Sequence, residues 1–90
     1  MTVTPEVIRE VLNSVDIEGL LQVGAPADEY ESEAQMIATA ISQTSESDLT
    51  EERLLHVIRR VWTEMFGPFS DEEIKKRDAV FLQVARQILA

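Results

Sequence analysis

Ninety residues with 44% aliphatic and aromatic side chains are enough for one buried core and too few for two, so 1–90 reads as a single domain. The absence of cysteine removes disulfides, thiolate metal sites and a thiol nucleophile. A net charge of −9 disfavours nucleic acid and anionic membrane as partners and favours a protein with a basic surface, besides aiding solubility.

The charge is unevenly placed. Residues 1–50 hold one cation, Arg9, against ten acids, whereas residues 51–90 hold seven of each. No apolar run approaches the ~20 residues of a membrane span. The opening Met1-Thr2-Val3-Thr4-Pro5 lacks the basic and apolar regions of a signal peptide, so a cytoplasmic location is expected.

Thr4 is placed to cap a first helix over about 5–15, with Pro5 at a position where a missing N–H costs nothing. Val7, Ile8, Val11, Leu12 and Val15 supply its apolar face. The stretch 16–30 then joins two helical patterns. Ile17, Leu20, Leu21 and Val23 predict that it packs down, and Gly19, Gly24 and Pro26 predict a fixed, non-helical path after at most a short helical turn.

The second helix is expected from Ser32 to Gln43, with Glu29, Glu31 and Glu33 favouring its N-terminal dipole. Ala34, Met36, Ile37, Ala40 and Ile41 form its apolar stripe, and 44–48 is an exposed loop. Thr50 caps the third helix, whose apolar arc runs through Leu54, Leu55, Val57, Ile58, Val61, Trp62, Met65 and Phe66 until Gly67-Pro68 stops it. Ser70-Asp71-Glu72-Glu73 is a capping box opening the fourth helix, which keeps its apolar face to the end of the chain. No stretch alternates with period two. The expected fold is therefore all-α: a small four-helix orthogonal or bundle-like domain with a packed non-helical loop between helices 1 and 2.

The strongest candidate for recognition is the acidic rim of that loop. Tyr30 offers a flat amphipathic contact ringed by Asp28, Glu29, Glu31 and Glu33, a composition suited to a basic surface. The competing reading is structural, with Tyr30 on the core and Asp28 or Glu31 capping helix 2. These acids lack the alternation and central glycine of a calcium loop, and neither a metal nor a cofactor is expected.

His56, the one histidine, sits on the polar face of helix 3 with no cysteine or second histidine to complete a catalytic set. Arg53, Arg59 and Arg60, with Lys75, Lys76 and Arg77, read as a solvated face laced with interleaved acids. Arg77 and Asp78 fall within the apolar arc of helix 4, which points to an intramolecular clamp, with Arg9 or an acid of the loop as partner. The Asp48-Leu49 pair lacks the intervening serine that an acyl carrier needs.

Asp16-Ile17-Glu18-Gly19-Leu20-Leu21, followed by Gly24-Ala25-Pro26-Ala27-Asp28-Glu29-Tyr30-Glu31-Ser32-Glu33, resembles the YugE-like family of small bacterial helical proteins. The family pattern has proline where Ile17 stands and Asp-Pro where Glu31-Ser32 stands, departures that touch turn chemistry. The run from Trp62 to Gly67 is similar to the family's later helix ending. The resemblance implies an all-α fold and bacterial origin, and no particular reaction.

These observations converge on a small acidic bacterial protein that works by binding another protein, in its most concrete form an immunity-like inhibitor of a basic toxin. An enzyme pairing Asp28 or Glu29 with His56, and a self-associating structural domain that forms homo-oligomers, are the alternatives.

Overall fold

Three of the four helices begin where a hydroxyl takes over a backbone N–H that the helix leaves unpaired. The computed structural model describes residues 3–26 and 28–90; Met1, Thr2 and Ala27, which figured in the sequence motifs, lie outside them. Within that range are α1 (Pro5–Val15), α2 (Glu31–Ser42), α3 (Glu51–Phe66) and α4 (Asp71–Leu89), with a 3-10 turn at Glu46–Asp48 inside the expected 44–48 loop.

The Thr4 hydroxyl accepts from Val7 N–H at 3.2 Å and Thr50 from Arg53 N–H at 3.1 Å. At α4, Ser70 accepts from Glu73 N–H while Glu73 Oε1 accepts from Ser70 N–H, both at 3.2 Å, so the capping box is complete. Helix α2 differs. Its N-cap is Tyr30, which makes no side-chain cap, and neither Asp28 nor Glu31 caps it as the structural reading expected. Asp28 contributes only its carbonyl, accepting from Glu31 N–H at 3.0 Å.

Gly67 closes α3 by donating its N–H to the Thr63 carbonyl at 2.9 Å. A Cβ at Gly67 would run into that same carbonyl oxygen, so the approach requires glycine. The Gly67–Pro68 peptide that follows is cis.

The chain is all-α, and among the described residues no strand occurs. Helix α1 lies against α2 and α4, and α3 lies against the same two, so the four helices close a ring. Trp62 stands in its middle, fully buried, with ring centroids 5.7 Å from Tyr30, 5.1 Å from Phe66 and 6.1 Å from Phe81. Ile8, Leu12, Ile37, Leu54, Ile58 and Val84 complete the dry centre. Each such aliphatic side chain contributes about 1.5–3 kcal/mol by leaving water.

The apolar faces are narrower than the sequence arcs. Val7 and Met65 stay exposed because each helix packs chiefly on two neighbours and the margins of its arc face water. No helix among the described residues is long and apolar enough to cross a membrane.

Candidate functional site

Among its described residues the segment 16–30 is a run of turns with no full helix, and the short helical turn expected before Gly24 is a single one: Val23 N–H donates to the Gly19 carbonyl at 3.3 Å, and Gly24 and Ala25 close it on the Leu21 and Leu20 carbonyls. Asp16 begins the segment. With φ at 51° its backbone turns left-handed and ends α1, while its N–H still donates to the Leu12 carbonyl at 2.7 Å. Its carboxylate then reaches forward over the segment. Oδ1 accepts from Leu21 N–H at 3.1 Å, and Oδ2 accepts from Gln22 N–H at 3.0 Å.

The Tyr30 hydroxyl, coming from the far end of the segment, donates to Asp16 Oδ1 at 2.7 Å and accepts from Glu18 N–H at 3.2 Å. Burial works against ionisation of Asp16, but the hydrogen bonds from Tyr30, Leu21 and Gln22 outweigh it and hold the carboxyl below its usual range. Burial, together with the adjacent Asp16 carboxylate, pushes the Tyr30 phenol up to about 12, so it stays a neutral donor.

Glu18 is the second anchor. Its carboxylate accepts Arg77 Nε and Nη2 side-on, both at 2.9 Å, and the Trp62 indole N–H at 2.9 Å. The Arg77 hydrogen bonds, against the cost of burial, hold the Glu18 carboxyl below its usual range. Arg77 also stacks over the Phe69 ring, 4.3 Å from its centroid. The clamp that Arg77 predicted therefore exists, with a loop acid as its partner. Asp78 takes Arg59 at 2.9 Å, and Arg9 instead takes Glu31 at 3.3 Å.

The five acidic-rim candidates do not form one surface. Tyr30 is fully buried, so its ring is a core element and presents no contact to a partner; its hydroxyl had a waiting acceptor in Asp16. Glu33 is buried at 3% exposure, because the α2 register turns it inward beside Ala34 and Ile37. Burial, with repulsion from Glu29, raises its pKa. Glu31 is half-buried and paired with Arg9. Asp28 and Glu29 remain exposed.

Val23 reverses a second expectation. It was predicted to pack down, yet it is 81% exposed, the most exposed large apolar side chain among the described residues. Gly19 and Gly24 both take positive φ on either side of it, at 69° and 101°. Those two bends turn Leu20 and Leu21 against the core and leave Val23 at the tip. The outward surface of the segment is thus Gln22, Val23, Gly24, Pro26, Asp28 and Glu29.

The expected salt-bridged basic face divides. Arg59, Arg77 and Arg86 are paired with Asp78, Glu18 and Glu51 respectively. Arg53 and Arg60 take part in none of the ion pairs among the described residues and line hollows between α2 and α3, together with His56. Asp28 and Glu29 line none of the hollows that His56 lines. Among the described residues no cluster of three or more His, Asp or Glu is placed to hold a metal ion.

The latch itself, Asp16 and Glu18 acting on Tyr30, Trp62 and Arg77, was missed from the sequence. The signal was present in part: a buried tryptophan N–H and a buried tyrosine hydroxyl each demand an acceptor. Compared with models of known protein families, with curated proteins and with solved structures, the chain matches none.

Proposed function

We propose that this is a non-enzymatic protein-binding module that docks on a basic protein surface through the tip of the latched segment. One observation carries the reading. The segment is fixed from inside by two carboxylates, yet the same segment offers water an exposed valine and two unpaired, exposed acids, Asp28 and Glu29. A side chain such as Val23 gains free energy only when covered, and a pre-organised loop loses little entropy when that happens. Acids on the same segment steer a basic partner and set its register.

In its concrete form the module is a cytoplasmic, immunity-like inhibitor that neutralises a basic toxin by charge and shape. Kinship with the YugE-like family belongs to the same proposal and rests on the 16–33 motif; it adds no reaction.

The test is affinity capture from lysate of the source organism with the wild type and with the triple variant Val23→Asp, Asp28→Asn, Glu29→Gln, at low and high salt. The expected result is a basic protein held by the wild type, released by salt and not held by the variant. A partner retained equally by both proteins would overturn the loop as the site.

A further inference from the structure

We propose that the cleft between α2 and α3 is a binding site for a small, multiply charged anion bearing phosphate or carboxylate groups. Two adjoining hollows make up the cleft. One, of about 320 Å³, is lined by Gln43, Thr44, Arg53, His56, Val57 and Arg60 among others. The other, of about 480 Å³, runs back along α2 past Met36 and Ser32 and shares Ala40, Gln43 and Arg60 with the first. Neither is lined by an acid, on a chain with 17 acids and eight cations. Volumes of this order accept small ligands.

The bland explanation is that these cations serve the C-terminal end of α2, where a helix leaves carbonyls unpaired. Three of the last four carbonyls of that end, those of Thr39, Ala40 and Ile41, already have donors that are not these cations. Gln43 N–H donates to the Thr39 and Ala40 carbonyls and Thr44 N–H to Ile41, while the Thr44 hydroxyl donates to Ala40 at 2.9 Å and the Ser42 hydroxyl to Thr39 at 2.7 Å. The half-charge of the helix end opposes an anion, but it is outweighed by two guanidiniums.

A second bland explanation is pairing with neighbouring acids. Asp48 and Glu52 share an adjacent hollow with Arg53 and His56, and Glu64 flanks Arg60 on the outer face of α3. None of them forms an ion pair with these cations. The Gln43 side-chain amide is likewise unengaged and exposed at the mouth. Two guanidinium forks, an imidazole and an amide around one hollow are what a multiply charged oxyanion requires.

The test is an NMR titration of isotopically labelled full-length protein with pyrophosphate and, separately, citrate at low salt. The expected result is saturable binding with Kd below about 1 mM, amide shifts confined to residues 32–44 and 53–60, and about tenfold weaker binding in Arg60→Gln, the loss of one charge-assisted bond. Lys75→Gln/Lys76→Gln, which alters cations outside both hollows, should leave Kd unchanged.

Shifts that do not saturate, or that spread over Lys75 and Lys76, would overturn the site without reliance on any variant. So would an unchanged Kd in Arg53→Gln/Arg60→Gln. Saturable binding of poly-glutamate with none of either small anion would overturn it in favour of an acidic protein segment. No described residue of the 16–30 segment lines the two hollows, so the triple variant in that segment should bind pyrophosphate like the wild type whether or not the loop reading holds.

Discussion

Glu18 satisfies three donors with two oxygens, and the two residues that supply them have different structural needs. The Trp62 indole N–H must be paired because the ring is fully buried, while the Arg77 fork needs a counter-charge because its side chain is largely out of water. Glu18→Gln keeps an acceptor for Trp62 and removes the charge that Arg77 faces. Breaking a fully buried pair costs about 3–5 kcal/mol, and partial exposure of both side chains reduces that to about 2 kcal/mol here. Chemical denaturation followed by Trp62 fluorescence would read the change. The loss should shrink in acid: the folded carboxyl is held below its usual range, so its contribution is complete above that range and vanishes as pH falls through the lowered value. A loss independent of pH would show that shape, and not charge, is what Glu18 supplies.

Tyr30 permits a cleaner reading because it is the one tyrosine of the chain. Its near-ultraviolet absorbance should show ionisation at about 12 and not near the ordinary value of 10. Between these values the unfolded phenol has lost its proton and the folded one has kept it, so stability falls as pH rises through the window. Ionisation near 10 with the fold intact would mean that the hydroxyl does not serve Asp16.

At the scale of elements, the segment 16–30 depends on backbone geometry as much as on its latch. Gly24 has φ at 101° and open space where a Cβ would stand, so Gly24→Ala isolates the backbone cost from any clash. The expected loss is about 1–2 kcal/mol, read by the same denaturation assay, with the overall helix content unchanged. A neutral Gly24→Ala would show that the tip tolerates another path, and the pre-organised loop would lose its basis.

This segment also marks where the sequence stops being legible. The helices could be read because periodicity and caps are local: Thr4, Thr50 and Ser70 each bond an N–H three residues on. Inside an irregular segment no period says which apolar side chain turns inward, so Val23 looked equivalent to Leu20 and Leu21. Tyr30 could be read either as a core ring or as a surface contact among acids; the core reading holds, and what decides it, the Asp16 acceptor, lies 14 residues away. Arg77 was legible as a clamp because a cation within an apolar arc must find a counter-charge. Which acid it would find required the fold.

For the molecule as a whole, the acidic first half has to be held against an electrically balanced second half. Among the described ion pairs only Glu18–Arg77 joins residues 1–50 to residues 51–90; Arg9–Glu31, Arg59–Asp78 and Arg86–Glu51 each stay within one half. Glu33 works in the opposite direction. Its position in the first turn of α2 favours the carboxylate, but burial and the nearby Glu29 outweigh that and raise its pKa. A carboxyl raised in the folded state stabilises most below its ordinary range, and that contribution is lost as pH rises through the raised value. At about pH 7 Glu33 therefore weakens the fold, and Glu33→Gln, which removes the buried charge at nearly the same shape, should raise the unfolding temperature. The gain should fade toward about pH 4, where the wild-type side chain is itself neutral. Thermal unfolding of both proteins at the two pH values distinguishes the cases. A destabilised Glu33→Gln at neutral pH would mean that the dipole of α2 governs this carboxylate and that burial does not.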